Sequence, residues 1–380
     1  MRLKFHNAGV GGAKAWDALA RFDRDVAAYK PKYVTILLGM NDGSYQPFNP
    51  EIFKTYQDDM TTLLSKLKET GATSIAMTPT MFDARAARVR KWNRPGTDVY
   101  NSVLAYYGTW LREVAVREGH GFVDMWSRLN NLTLEQRKTD PNFTMIKDAI
   151  HPGPAGQLVM AYSIIEDMGL RKGLSNIRIV EGRGGKPRVT SQGGKVTEMQ
   201  VTDDGLSFTW TAAGLPWVLP EETAPAPKML HLGHKASREA LEVHVLPAGK
   251  YELSIDGAVV GTYTDVQLSR HIELQENDKT PQYQQALEVA NLNKQRNAGP
   301  VRGLRGTWSI FQGLARTKRG LESNPDDANA KKRVEQITKR LGDHEAKIKE
   351  FEAAAKAIED QIFENNQPVP RKYVLKRVSK

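Results

Sequence analysis

Asp148 and His151 stand three residues apart in Lys147-Asp148-Ala149-Ile150-His151-Pro152-Gly153. A loop that delivers a carboxylate and an imidazole at this spacing, just ahead of a helix, can hold both on one side of a pocket. The carboxylate would orient the ring and stabilise its protonated form, while the imidazole takes a proton from a hydroxyl nucleophile. The same pair also fits a solvated loop with no chemistry. Asn41, in Gly39-Met40-Asn41-Asp42, follows an apolar run, and its amide could donate to a developing oxyanion. An Asn-Asp-Gly turn without chemistry is the bland counterpart. Asn7-Ala8-Gly9-Val10-Gly11-Gly12 sets glycines before a helix, where backbone N–H groups can approach an anion. The spacing argues against a dinucleotide loop, because the third glycine of G-x-G-x-x-G would fall on Lys14. Arg85, Arg88, Arg90, Lys91 and Arg94 surround Trp92. That stretch reads as solvated surface, or as a clamp for an anionic ligand such as an acidic sugar, with Arg88 and Arg90 as charged arms and Trp92 as a stacking surface. His231 and His234 bring no third ligand with them, so neither a metal nor another cofactor is expected.

The elements that must position these residues alternate between β-like runs and helical patterns up to about residue 172, as in an α/β domain with a parallel sheet. The pattern predicts strands at 3–7, 33–38, 74–77 and 122–124, and helices at about 15–29, 50–70, 98–118 and 155–168. Each of the three clusters then lies after a strand or before a helix, at one rim of the sheet, where open parallel sheets bind ligands. Residues 173–276 change to short strands, with Asp256-Gly257 as a hairpin signal, and read as a small β-rich module. Residues 277–380 read as helical. Val334, Ile337, Leu341, His344, Ile348, Phe351, Ala355, Ile358 and Ile362 make a heptad seam in a helix over about 327–364. The seam suits a helix packed on its own protein. Self-association through a coiled coil is the alternative.

Composition narrows the class. The chain of 380 residues has no cysteine, which excludes disulfides, thiolate metal sites and cysteine nucleophiles. No apolar run reaches the roughly 18 residues of a membrane span. The net charge of +10 raises nucleic acid as a partner. However, residues 1–172 carry 23 basic and 18 acidic side chains and the remainder carries 31 and 26, so the excess is spread out and no nucleic-acid partner is expected.

The glycine loop, the asparagine after a strand and the Asp-x-x-His near the domain's end, in that order, resemble the SGNH hydrolase family, also called the GDSL esterase/lipase family. Leu19-Ala20-Arg21-Phe22 in the first helix is similar too, and the resemblance covers about residues 3–170. It implies a flavodoxin-like three-layer α/β/α domain and a Ser-His-Asp ester hydrolase that works through an acyl-enzyme. Carried over by position, Gly12 supplies an oxyanion donor through its backbone N–H and Asn41 a second one. His151 is the general base and Asp148 its orienting partner. The implied substrate is an acylated carbohydrate or another small ester. The chain departs from the family at the nucleophile, which belongs to a Gly-Asp-Ser motif on a first strand upstream of the glycine loop. That tripeptide occurs nowhere here, and Ser44, in Asp42-Gly43-Ser44, reads as a loop residue. The expectation is a chain lacking its N-terminal block, with that strand missing from between 3–7 and 33–38. The compartment stays open, since a signal for secretion or periplasmic export would lie in the same missing block. A different class of protein, a non-catalytic SGNH-like binding or scaffold protein, is the alternative.

Overall fold

In the computed structural model, which describes residues 4–169 and 173–379, the apolar run after Lys32 forms strand β1 (Tyr33–Leu37). The helix predicted ahead of it is broken into α1 (Ala15–Ala20), α2 (Phe22–Asp25) and a 3-10 turn over Ala27–Tyr29. The break falls at Arg21, which leaves helical geometry at φ −124°. Its guanidinium reaches back to the Ala8 carbonyl (2.5 Å) and forward to Asp25 (3.1 Å). Asp25 is fully buried between Arg21 and Arg24, and a buried carboxylate requires such partners.

Helix α3 (Pro50–Glu69) starts where Asn49 accepts from the N–H groups of Glu51 (2.9 Å) and Ile52 (3.1 Å), with Pro50 in the first turn, where a missing N–H costs nothing. Its Phe53, Tyr56, Met60, Leu63, Leu64 and Leu67 recur at three- and four-residue steps and are buried. Each such side chain contributes roughly 1.5–3 kcal/mol on leaving water. The chain continues through β2 (Thr73–Met77), α4 (Ala84–Val89), α5 (Tyr100–Glu118), β3 (Gly121–Val123), α6 (Met125–Gln136) and α7 (Pro154–Asp167). The sheet runs β1-β2-β3, all parallel, with Tyr33 opposite Thr73 and Ile75 opposite Gly121. Helices flank it, as the α/β reading requires.

Among the described residues nothing pairs with the outer edge of β1, and Tyr33, Thr35 and Leu37 are exposed. Leu3 lies outside the described residues, and residues 4–7 do not form the strand that the sequence predicts. Among the described residues no strand shares a hydrogen-bond ladder with them. Phe5 is 72% exposed, and His6 instead stacks on Tyr29, with ring centroids 3.5 Å apart.

The later elements are β4 (Ser175–Glu181), β5 (Pro187–Gln192), β6 (Gly194–Thr202), β7 (Gly205–Ala212), α8 (Ala226–Leu230), α9 (Leu232–Ala236), β8 (Glu239–Val243), β9 (Lys250–Ile255), β10 (Ala258–Thr264), α10 (Asp265–Arg270) and β11 (Ile272–Glu273). They are followed by α11 (Pro281–Arg296), α12 (Arg302–Ser323), α13 (Ala328–Leu341), α14 (His344–Asn365) and β12 (Arg371–Ser379). Two compact units result. The first comprises Met1–Leu170, Glu222–Ala226 and Gly299–Ala354, and the second Arg171–Glu221, Pro227–Ala298 and Ala355–Lys380.

In the second unit one sheet has the order β10-β9-β12-β7-β6 and another β11-β8-β4-β5. Asp256 (φ 50°) and Gly257 (φ 84°) both take the left-handed conformation that a two-residue hairpin turn needs. The final residues, expected to be helical, form β12 between β9 and β7. Tyr373 and Leu375 are buried while Lys372 and Lys376 are exposed, a period of two that lysines and arginines obscure in the sequence.

The heptad seam spans two helices, separated at Gly342-Asp343, rather than one. Its residues pack on the chain's own helices. In the first unit, His344 is buried with its ring edge-on to Phe311. In the second, Ala355 is buried and Glu359 of α14 pairs with Arg296 of α11 (2.8 Å). No helix among the described residues is long and apolar enough to cross a membrane.

Candidate active site

The glycine loop leads into α1. Gly12 sits at φ +70°, a conformation that favours glycine, and among the described residues its N–H has no hydrogen-bond partner. Asp17 caps α1 by accepting from the Lys14 N–H (2.8 Å). Asp42 ties this helix start to the turn after β1. One of its carboxylate oxygens accepts from the Ala15 N–H (2.8 Å) and the other from the Gly39 N–H (2.9 Å). Burial pushes the Asp42 carboxyl up to about 6, against the pull of those two N–H groups. Gly39 lies at φ +116°, and a Cβ there would meet the Pro79 ring at 3.1 Å.

Asn41 therefore stands on a turn braced from two sides. Its Nδ2 donates to the Ala13 carbonyl (3.2 Å), and its Oδ1 accepts from the Tyr45 hydroxyl (2.8 Å). One amide hydrogen remains for an acceptor from outside. Ser44 and Tyr45 both have positive φ, 58° and 56°, an uncommon conformation for side-chain-bearing residues. Ser44 Oγ is engaged by Lys14 Nζ (3.0 Å) and donates to the Asp42 carbonyl (3.3 Å).

Asp148 and His151 are joined as the spacing suggests. His151 Nδ1 lies 2.7 Å from Asp148 Oδ2. Asp148 Oδ1 accepts from the N–H groups of Ile150 (3.0 Å) and His151 (2.7 Å). Burial works against its ionisation, but these hydrogen bonds win and hold the carboxyl below its ordinary value. Ala149, between them, is at φ +76°, and its carbonyl accepts from the Asp83 N–H (3.0 Å). Asp83 is itself fixed by both of its oxygens to Arg137 (2.9 and 2.7 Å) and by the Thr144 hydroxyl. With Nδ1 turned to a carboxylate, the ring's Nε2 is the atom left to accept a proton. The His151 side chain is 78% exposed.

Tyr45 connects these parts. Its ring lies 5.6 Å from Trp92 and 5.1 Å from Tyr100, and the Arg94 guanidinium sits over both Tyr45 (5.4 Å) and Trp92 (5.0 Å). Burial raises the Tyr45 hydroxyl's pKa, with Arg94 opposing and Asp148 adding, so charges from both loops act on it. Trp92 is half-buried and stacked on Phe82 (5.5 Å). Arg88 is paired with Asp98 (2.7 Å) on the surface, and Arg90 is exposed at the end of α4. In the second unit His234 pairs with Glu273 (2.7 Å). The sequence reading passed over Tyr45, Asp83 and Arg137. Their roles come from contacts between segments far apart in the chain, which no local pattern displays.

The parallel sheet flanked by helices matches an SGNH-like fold, and beyond its strand ends lie the Asp148-paired His151, the Gly12 N–H and the Asn41 amide. Residues 1–159 match the model of the GDSL-like Lipase/Acylhydrolase family. That match and the esterase relative support a carboxylic ester hydrolase. An acetylxylan esterase of Geobacillus stearothermophilus is 27% identical over 173 residues, covering 44% of this chain and 73% of that protein. The solved structure of a gut microbial diltiazem-metabolizing enzyme is similar over 100% of this chain and 91% of its own, with a TM-score of 0.78 and 24% identity, a likeness of fold.

Proposed function

We propose that this protein hydrolyses an acylated carbohydrate or another small ester through a serine acyl-enzyme, with His151 as the base. The observation that carries the reading is the 2.7 Å pairing of His151 Nδ1 with an Asp148 that two backbone N–H groups hold in place. In the first step a serine Oγ bonds to the ester carbonyl carbon as its proton passes to His151 Nε2. The carbonyl oxygen becomes an oxyanion held by the Gly12 N–H and the Asn41 amide. Collapse breaks the bond to the alcohol, which leaves with the proton from His151. Water then repeats the sequence on the acyl-enzyme and frees the acid. Asp148 keeps the ring in the required tautomer and stabilises it while charged.

Ser44, the serine nearest the site, has its Oγ paired with Lys14 Nζ and the Asp42 carbonyl and not with the His151 ring. The carbohydrate ester is favoured by the acetylxylan esterase relative and by the half-buried Trp92 face. The test is to treat the protein with a fluorophosphonate and to locate the label by mass spectrometry. A labelled serine, lost together with turnover in His151→Ala, is expected. An unlabelled protein that still binds ligand is the non-catalytic relative instead.

A further inference from the structure

We propose that α12, far along the chain from the family domain's motifs, is the device that holds the oxyanion loop in its working orientation, with Gln312 and Arg316 as positioning residues. The inference rests on the ester-hydrolase reading above, because it concerns the N–H assigned there to the oxyanion.

The donor in question is part of the Gly11–Gly12 peptide. A trans peptide is planar, so its C=O and N–H point to opposite sides. Two glycines in sequence have no side chain to fix this plane, and glycine takes positive and negative φ with similar ease. A flip would turn the N–H away and present a carbonyl oxygen to the oxyanion, replacing attraction with repulsion. Gln312 Nε2 donates to the Gly11 carbonyl (3.3 Å), the other end of the same peptide plane. Arg316 Nη2 donates to the Gly12 carbonyl (2.6 Å), the next plane along. Both carbonyls are thereby drawn to α12, which leaves the Gly12 N–H on the far side.

Arg316 is itself anchored. Its Nε and Nη2 each meet an oxygen of Asp17 at 2.7 Å, and Asp17 is only 3% exposed. The same Asp17 caps the Lys14 N–H, so one carboxylate joins α12 to the start of α1. A planar, two-pronged guanidinium suits this geometry in a way that an ammonium does not. Trp308, Gln312, Arg316 and Arg319 recur at four-, four- and three-residue steps and so share one face of α12. Trp308 is buried, and the Arg319 guanidinium lies 4.2 Å from the Trp16 ring centre. Gln312, Arg316 and Arg319 of this face are thus committed to the glycine loop and to α1, which follows it, while Trp308 meets His6 and Arg24.

The experiment compares the native gene product with Arg316→Gln, Arg316→Lys and Gln312→Leu. It reads kcat and KM on 4-nitrophenyl acetate, and hydrogen–deuterium exchange of the peptide covering the glycine loop. Losing an oxyanion donor outright costs about 10²–10³ in kcat, so a loosened one should cost ~10–100-fold in Arg316→Gln with KM within about twofold. Arg316→Lys should recover part of the loss, since one ammonium can serve Asp17 or Gly12 but not both prongs. Exchange in the loop should quicken while that of β1–β3 stays unchanged. A kcat within twofold of the unaltered protein in both Arg316→Gln and Gln312→Leu overturns the proposal, as does unchanged exchange in the loop. If the unaltered protein hydrolyses no ester, the ester-hydrolase reading fails instead, and the exchange measurement alone then decides whether α12 clamps the loop.

Discussion

Replacing Asp148 with asparagine tests the proposed mechanism at its centre. The wild-type carboxylate has two acceptor oxygens in use, Oδ1 by the N–H groups of Ile150 and His151 and Oδ2 by His151 Nδ1. Asparagine has one acceptor oxygen. The two backbone donors claim it, because an NH2 group in that place would face two N–H groups. The amide NH2 then stands where Oδ2 was and donates to Nδ1, which forces the ring proton onto Nε2. A ring in that tautomer cannot accept the serine proton. Reaching the productive tautomer means giving up a charge-assisted hydrogen bond, about 1.5–3 kcal/mol, and leaving donors unpaired, about 1–3 kcal/mol. Together these raise the barrier by about 2.5–6 kcal/mol, or a fall in kcat of ~10²–10⁴-fold. The Asp148 side chain is 40% exposed, so folding should change little. The assay is kcat on 4-nitrophenyl acetate with the melting temperature measured alongside. A folded Asp148→Asn protein with kcat within fivefold of wild type would refute the claim that this carboxylate sets the tautomer.

Two further outcomes are expected. Asp42 has its carboxyl raised by burial from 3.8 to about 6, so the folded state binds its proton more tightly than the unfolded state does. Its contribution to stability is therefore present below about pH 4 and lost as pH climbs to 6, by about 3 kcal/mol. Urea unfolding at pH 4, 5, 6 and 7 should show the Asp42→Asn protein gaining on wild type by that amount, whatever its constant offset; a difference that does not move with pH would contradict the argument. The Arg88→Ala/Arg90→Ala pair should lower the ratio of kcat/KM on an anionic ester to that on a neutral one by ~3–10-fold, in line with exposed charges worth up to about 1 kcal/mol each. An unchanged ratio removes the clamp.

Much of the α/β domain was legible in the residues. The β-branched run at 33–37, the Asn49-Pro50 helix start and the buried three-and-four spacing of α3 are local patterns, and local patterns survive in any context that buries them. Asp148 and His151 were legible for the same reason, since three residues of loop bring them together. Other readings failed where a tertiary partner decides. Residues 4–7 have strand-like composition but share no ladder with any strand among the described residues. Arg371–Ser379 is charged enough to pass for a helix or tail, yet it lies between two strands whose neighbouring edges take up its backbone groups.

By itself, then, the sequence set the order of glycine loop, Asn41 and Asp148-x-x-His151 and pointed to the domain that bears them, because residue type and short spacing are local properties. Only the tertiary structure decided how they are held. The Tyr45 hydroxyl on Asn41, the Asp83–Arg137 pair under the histidine loop and the grip of Gln312 and Arg316 on the glycine loop join residues up to 304 positions apart. Such contacts depend on where packed helices bring their side chains, a matter settled by the burial of the whole core and not by any residue's neighbours in sequence.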